Sequence, residues 1–342
     1  MHIFTNPNYN FLRWRWHAVA LSWIVIIAGL VMIYDKGLPK GIEFAGGTSV
    51  IMQFDQTPSV EAVRDALNKN YPGGGEDAVV QAYGDPSLRQ VMVRVPQVGA
   101  ESGASLSASA MNVENALRKA NLGNFKVAGT EIVGPSVGQE LTQKGLWAFV
   151  LSLVGILGYI AFRYEFSFAV GAVVATLHDV LVTFAFLAFF RYDLSLNVIA
   201  ALLTVTGYST NDTIVIFDRV RENMRKMRRD SLMDIINISI NQTLGRTVIT
   251  AGTAFLSAIA LFLFGGEVLH GFAFTMIVGI ITGTYSSVFV AAAIVTFWRR
   301  TKPSKLTTAT AAAPVAAAPA ASASRSNASA TRSKKQRKAR AS

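Results

Sequence analysis

Asp212 lies in Gly207-Tyr208-Ser209-Thr210-Asn211-Asp212-Thr213, a polar run inside an apolar stretch. Ile199-Ala-Ala-Leu-Leu-Thr-Val-Thr precedes it and Ile214-Val-Ile-Phe217 follows it. A carboxylate in such a setting costs about 2.5–3.5 kcal/mol at the centre of a bilayer on insertion scales. Carboxylates kept there face a bundle interior or a watery cavity, where they can take up and release a proton. The alternative is a carboxylate that pins neighbouring helices by hydrogen bonds. Tyr208 and Asn211 flank it in the same run.

Two other polar positions bear on this chemistry. Arg246, in Leu244-Gly245-Arg246-Thr247, opens the next apolar stretch. Asp212 lies six residues before Asp218, roughly 9 Å along a helix at 1.5 Å per residue, so Arg246 can reach a similar depth from its own helix. An opposing pair at that depth lowers the cost of both charges. A snorkelling interfacial arginine is the competing reading. His178-Asp179 forms a second polar cluster in an apolar segment. There a structural hydrogen-bonding role is favoured, with proton relay as the alternative.

The elements that must position these residues are membrane spans. The chain has 342 residues, of which 51% are hydrophobic and 15% charged, with a mean hydropathy of +0.36. Six runs are long enough to cross a bilayer, at roughly 17–34, 142–162, 166–190, 195–217, 246–265 and 268–298. The first follows the basic and aromatic collar Arg13-Trp14-Arg15-Trp16-His17 and lacks a small-residue cleavage site before Asp35-Lys36-Gly37, so it reads as a retained helix. Arg13 and Arg15, Arg163, the run from Arg219 to Arg229, and Arg299-Arg300-Thr301-Lys302 all fall on one side of an even number of spans. That side is the cytoplasm by the positive-inside rule. Both termini are then cytoplasmic, and 35–140 lies outside. The net charge of +11 reflects this topology and a basic tail, and gives no reason to expect a specific nucleic-acid partner.

No cysteine is present, which excludes disulfides and thiolate metal sites. The four histidines show no metal-ligand spacing. No cofactor is expected beyond the proton as coupling ion, and nothing suggests an enzyme.

The fold class predicted is a multi-pass α-helical membrane protein with a small α+β domain inserted after the first span. Residues 1–34 hold the N-terminus and first helix, and 35–140 the inserted domain. Helices two to six occupy 141–300 with a cytoplasmic loop at 218–245, and 301–342 form a basic, disordered tail. Within 35–140 the pattern reads strand (48–54), helix (59–70, capped by Ser59), strand (77–83), turn (84–87), strand (89–95), helix (105–120) and strand (125–133). This βαββαβ order matches a ferredoxin-like split unit. Gly41-Ile-Glu-Phe-Ala-Gly46-Gly47-Thr48 is one residue short of a phosphate-loop pattern and precedes a strand, so Gly46-Gly47 reads as a backbone bend. In the 218–245 segment, Asp230-Ser231 can cap a helix with a stripe of Leu232, Ile235, Ile236, Ser239, Ile240 and Leu244, suited to lying in the membrane interface or packing on the base of the bundle. Gly279-x-x-x-Gly283, and Gly171 with Ala175, mark close helix contacts.

Four motifs carry a family resemblance. They are Gly41-Ile-Glu-Phe-Ala-Gly-Gly-Thr48, Val133-Gly-Pro-Ser-Val-Gly138, the run from Ala201 to Arg219, and Phe264-Gly-Gly266 with Gly283-Thr-Tyr-Ser-Ser287. In this order, over about residues 10–300, the chain resembles the SecF family of the RND superfamily. Those proteins are the smaller subunits of the SecD–SecF accessory complex of bacterial protein export. Family members usually have aspartate where Glu43 stands. The resemblance implies six helices in a twelve-helix assembly with SecD in the bacterial inner membrane. It implies work downstream of SecA at the SecYEG translocon on unfolded polypeptides, with YajC and YidC as candidate neighbours and membrane lipid around the helices. By matching positions, Asp212 is the proton carrier and Arg246 its charge partner. A proton-coupled half-transporter for small molecules would share the helices and Asp212. A purely structural assembly subunit would not need Asp212 to titrate.

The topology is checked by labelling cysteines introduced at Ser102 and Ser231 with an impermeant reagent. Ser102 is expected to react from outside and Ser231 only from inside; reaction of both from outside contradicts the orientation.

Overall fold

The computed structural model describes residues 7–56, 58–72, 74–76, 78–84, 86–96, 103–164 and 166–301, with the side chains at 103–106, 135, 267 and 298–301 excepted. The expected tail, and the sequence-predicted positions Asp77, Asp85 and Ser102, lie outside them.

Helix α1 (Arg15–Lys36) follows a short 3-10 turn whose Asn10 side chain accepts from Arg13 N at 3.2 Å. The chain then makes the four-residue helix α2 (Ile42–Ala45) and turns through Gly46 and Gly47 at φ +70° and +119°. Such values favour glycine, so this pair serves as the bend from helix to sheet. Strand β1 (Gly47–Phe54), α3 (Val60–Asn70), β2 (Val79–Tyr83), β3 (Gln90–Val95), α4 (Gly103–Lys119) and β4 (Phe125–Val133) follow. Ser59 caps α3, its Oγ accepting from Ala62 N at 3.1 Å. The four strands form one antiparallel sheet in the order β2-β3-β1-β4. Val50, Met52, Val91 and Val93 from the sheet pack against Val63, Leu67, Val113 and Leu117 from the two helices. With no cysteine available, this apolar cluster takes the place of disulfides.

The remaining helices are α5 (Pro135–Arg163), α6 (Phe166–Phe189), α7 (Leu196–Lys226), α8 (Leu232–Phe264), α9 (Glu267–Ser286) and α10 (Ala292–Thr301). A π-helical turn, Ser287–Ala291, joins the last two. Five helices among the described residues are long and apolar enough to cross a membrane: Phe11–Lys36, Ser136–Arg163, Phe166–Phe189, Leu232–Phe264 and Val268–Phe297. The sixth long helix, α7, falls outside that group because it carries the Gly207–Thr213 polar run and a charged final third.

One expectation is corrected here. The segment 218–245 is not a loop with its own interfacial helix. Helix α7 runs on to Lys226, and α8 starts at Leu232, capped by Ser231 Oγ on Asp234 N at 3.2 Å, and continues unbroken to Phe264. Gly245 is the one helix-weakening residue at the expected break, and a single glycine costs only about 1 kcal/mol in a helix. The apolar stripe Ile235, Ile236 and Ile240 is buried in one cluster with Ile216, Phe217 and Val220 of α7, which fits packing on the base of the bundle and not a helix lying in the interface. Asn223 Nδ2 donates to Ser239 Oγ at 2.8 Å and to Gln242 Oε1 at 2.9 Å, tying the two helices there. Asn241 and Asn237 of α8 bind the backbone of Tyr9 and Phe11 at 2.8–2.9 Å, which anchors the chain leading into α1.

Small residues set the closest approaches. A Cβ on Gly279 of α9 would lie 2.4 Å from the Val205 side chain of α7, and one on Gly283 would lie 2.9 Å from Ser209 Cβ. Gly29 of α1 meets Ala185 of α6 in the same way, at 2.2 Å. Close backbone approach of this kind is what small residues permit between helices in lipid. It brings the polar positions of α6, α7 and α9 into direct contact.

Candidate functional site

Helix α7 starts on Ser195, whose Oγ accepts from Val198 N at 3.3 Å. Three of its threonines satisfy themselves: Thr204, Thr206 and Thr210 return their hydroxyls to carbonyls four residues earlier, at 2.7–2.8 Å. Those hydroxyls therefore add little desolvation cost. Ser209 and Asp212, one turn apart, are left to interact outside the helix.

Ser209 does so with Asp179. Its Oγ donates to Asp179 Oδ2 at 2.5 Å, Ser286 Oγ of α9 donates to the same oxygen at 2.8 Å, and His178 Nδ1 lies 3.0 Å from Oδ1. Asp179 is 1% exposed, so these groups replace water entirely. With Nδ1 donating to Asp179, the buried Nε2 of His178 is left without a partner. The imidazole stacks on Tyr285 at 6.4 Å between ring centres, and the Tyr285 hydroxyl donates to the carbonyl of Ala18 in α1. One carboxylate thus gathers hydroxyls from two other helices, and the residues around it reach a third.

Asp212 differs. It is 2% exposed, yet its Oδ2 has no hydrogen-bond partner. Thr247 Oγ1 on α8 is likewise buried and unpartnered, and the Tyr208 hydroxyl is buried beside Thr250 without completing a hydrogen bond. Unsatisfied polar atoms at such depth are rare and call for an explanation. Arg246 on α8 is the cation whose field reaches Asp212. It stays exposed, and none of the described ion pairs joins the two. The expected partners are thus neighbours at long range and not a contact pair. Asn211 is exposed, on another face of α7 from the buried Asp212. Of the six expected site residues, His178 and Asp179 touch each other, Asp212 sits near Tyr208 and Arg246, and Asn211 stands apart.

A second site links the sheet domain to the top of the same two helices. The α6–α7 connection carries Asp193, whose Oδ2 receives Arg94 Nη2 of β3 at 2.7 Å. Arg94 Nη1 donates to the carbonyl of Lys40 at 2.8 Å. Leu194 exchanges backbone hydrogen bonds with Pro39 and Gly41, both at 2.7 Å, and Arg191 Nη1 donates to the carbonyl of Gly37 at 3.0 Å. Beside this clasp lies a cavity of about 300 Å³, lined by Glu43, Ser49, Arg94, Asp193, Tyr192 and His270 among others. Nothing in sequence spacing singled out Arg94 and Asp193, which are 99 residues apart. The only available signal was an arginine within a strand otherwise composed of Gln, Val and Met.

Residues 112–301 match the family described as "Protein export membrane protein SecD/SecF, C-terminal", and residues 31–58 match the "SecD/SecF GG Motif". The protein translocase subunit SecF of Desulfurispirillum indicum is 42% identical over 292 residues, covering 84% of this chain and 91% of that one. The corresponding subunit of Vibrio alginolyticus is 42% identical over 285 residues, covering 83% and 88%. This chain belongs to the SecF family of protein translocase subunits. Among solved structures it is similar to SecDF, a translocon-associated membrane protein from Thermus thermophilus, with a TM-score of 0.76, 33% identity and coverage of 86% of this chain. It spans 39% of that longer SecDF chain. Against SecDF in a super-membrane-facing form the TM-score is 0.64 at 32% identity, covering 90% of this chain and 41% of that one. The GG motif of the SecF family is the bend at Gly46-Gly47. Gly138, from the motif that opens α5, packs on it: a Cβ there would lie 3.3 Å from the carbonyls of Glu43 and Phe44.

Replacing Arg94 by alanine removes the cation from Asp193 and the donor from Lys40 O. Loss of a charged hydrogen bond costs about 2 kcal/mol. Amide exchange in residues 37–41 and 191–195 is therefore expected to accelerate in Arg94→Ala, measured by hydrogen–deuterium exchange in detergent. Unchanged exchange there contradicts the clasp.

Proposed function

We propose that this chain acts with SecD as a proton-driven export subunit, in which Asp212 carries the coupling proton and the sheet domain acts on the polypeptide. The observation that carries this reading is Asp212 itself, buried among membrane helices with an oxygen that no donor reaches. A carboxylate hydrogen-bonded on all sides would have to break contacts to take a proton; Asp212 Oδ2 would not. Arg246, near enough to act on it electrostatically but free to move at the exposed edge of α8, would stabilise the charged form between protonations.

In this reading α7 also crosses the membrane, as the fourth of six spans, both termini are cytoplasmic, and the inner membrane is the site of action. The domain between α1 and α5 is extracytoplasmic. Its strand order and two covering helices suit a ferredoxin-like unit. The bundle also supports a partner of its own kind. The spans of α6 and α9 are each 61% buried, whereas those of α5 and α8 are 6% and 11% buried. Two apolar helices left so uncovered fit docking against the helices of SecD, and the solved SecDF chain, of which this chain spans about two fifths, is the precedent. SecYEG and SecA would be the translocon partners, with YajC and YidC as further neighbours. No cofactor beyond the proton is needed, and no bond is made or broken.

The clasp at Asp193 supplies a mechanical route. It joins the sheet to the connection between the helix that carries Asp179 and the helix that carries Asp212. A change of tilt or rotation in α7 on protonation would be transmitted to the domain through Asp193, Leu194 and Ser195.

The test is uncoupler-sensitive export in vesicles reconstituted with the complete complex at matched subunit levels. Asp212→Asn keeps volume and hydrogen-bonding capacity but cannot exchange a proton through a carboxylate, so the uncoupler-sensitive part of export is expected to vanish while the complex still assembles. Asp212→Glu is expected to keep part of it. Wild-type, uncoupler-sensitive export by Asp212→Asn would reduce the residue to a helix pin.

A further inference from the structure

We infer that Asp179 is a positioning carboxylate, a fixed hydrogen-bond clamp that sets the rotation of α7 and thereby the direction in which Asp212 faces. The inference rests on the reading of Asp212 as the coupling group, and it gives the second buried carboxylate a role distinct from proton carriage.

The two aspartates are equally buried and oppositely satisfied. Asp179 receives Ser209 Oγ at 2.5 Å, Ser286 Oγ at 2.8 Å and His178 Nδ1 at 3.0 Å. Its backbone carbonyl also accepts the Thr183 hydroxyl at 2.7 Å. Asp212 has an oxygen with no partner. A carboxylate filled by three donors from its own and two neighbouring helices is held in direction as well as in place, because each donor defines one lone-pair line.

The clamp acts on α7 through Ser209, three residues before Asp212. Three residues along a helix return to nearly the same face, so the bond that fixes Ser209 against α6 also fixes the azimuth of Asp212 towards α8. The close packing of α9 completes the geometry. Gly283 leaves no room between α9 and the Ser209 side chain, and any side chain there would collide at 2.9 Å. Ser286, three residues further, then reaches Asp179 from the other side. The helix changes register immediately afterwards, in the π-helical turn Ser287–Ala291. Such turns are weak points in a helix and collect at functional sites. Here the turn begins where the clamp ends.

The titratable and charged groups around the clamp are His178 on α6, Tyr208 and Asp212 on α7, Arg246 on α8 and Tyr285 on α9. From α1 the buried residues are Ser22, Ile26 and Gly29, none of which titrates.

The experiment compares Asp179→Asn with Asp179→Ala in the full complex. An asparagine keeps the volume and both polar ends. Its oxygen can still accept from the serines, and its amide can donate to a His178 tautomer that accepts at Nδ1. Alanine keeps none of these. Two quantities are read. The first is the pH profile of uncoupler-sensitive export, which a residue needed only for folding would not move. The second is the distance distribution between spin labels on cysteines placed at exposed Thr204 of α7 and exposed Ile281 of α9; the native chain has no cysteine to interfere.

Asp179→Asn is expected to retain the wild-type profile and distances. Asp179→Ala is expected to shift the pH midpoint of export and broaden the α7–α9 distances. Ser209→Ala and Ser286→Ala, each losing one donor with little change in volume, are expected to shift both quantities in the same direction by less, which keeps the test open if Asp179→Ala fails to accumulate. The inference is overturned if Asp179→Asn is as damaging as Asp179→Ala, since the carboxylate would then be needed for its charge or proton. Unchanged profile and distances in the alanine variants overturn it too. The distances are compared at one fixed pH with Asp212 unchanged in every variant, so a failure of the coupling reading, seen as retained uncoupler sensitivity in Asp212→Asn, is told apart from a failure of the clamp.

Discussion

Polar groups at membrane depth must be satisfied by other parts of the protein, because hydrocarbon offers neither donors nor acceptors. The inner helices of this SecF-family chain are organised by that constraint. The hydroxyls of Thr204, Thr206 and Thr210 in α7 turn back onto their own helix. Ser209 and Ser286 instead spend theirs on Asp179, which makes a carboxylate the meeting point of α6, α7 and α9. The same constraint makes the exceptions informative. Asp212 Oδ2, Thr247 Oγ1 and the Tyr208 hydroxyl are buried without a full complement of bonds, on the α7–α8 side of the bundle. Helix α7 thus has a multiply bonded carboxylate contact towards α6 and α9 at Ser209, and unsatisfied polar atoms at Asp212 and Tyr208.

That asymmetry has a mechanical consequence. The α6–α7 pair is tied midway along α6 by Asp179 and at its end by the clasp of Asp193 with Arg94. Between the two ties the helices are packed by Leu187, Val198 and Leu202 into one apolar cluster. In the proposed coupling, a rotation of α7 about the Asp179 contact would be carried along this packed pair to the connection that holds the sheet. Helices α5 and α8, with little of their apolar surface covered, are free to meet a partner without disturbing this path.

Much of the architecture was legible in the sequence because its signals are local. The caps at Ser59 and Ser231, the alternation in 48–54 and 89–95, and the apolar runs 17–34 and 166–190 fall on elements to within two residues, whereas α7 and α8 run well beyond the apolar runs that marked them. The glycine pairs at 46–47 and 279–283 marked a bend and a close helix contact for the reasons that make glycine necessary there. What stayed hidden depends on contacts between distant positions. Asp179 stood out as a polar residue in an apolar segment, but its partners lie 30 and 107 residues away. Arg94 and Asp193 gave no periodic signal at all. The break expected before Arg246 failed because periodicity cannot distinguish an interfacial helix from the first turns of a longer one when only Gly245 separates them. The depth of Arg246 relative to Asp212 could be counted from the sequence, whereas the separation of the two side chains depends on how α7 and α8 pack, which spacing along the chain does not encode.

The central claim is that the state of Asp212 is felt by the sheet domain some way along the chain. It is tested most directly by the distance between spin labels at Asn68 on the domain and Trp147 on α5, in nanodiscs holding the assembled complex. The account predicts that Asp212→Asn, which fixes the uncharged form, shifts this distance distribution relative to wild type at a pH where Asp212 is charged, and that Arg94→Ala abolishes the shift. Identical distributions for wild type and Asp212→Asn, in complexes that are equally well assembled, would contradict it.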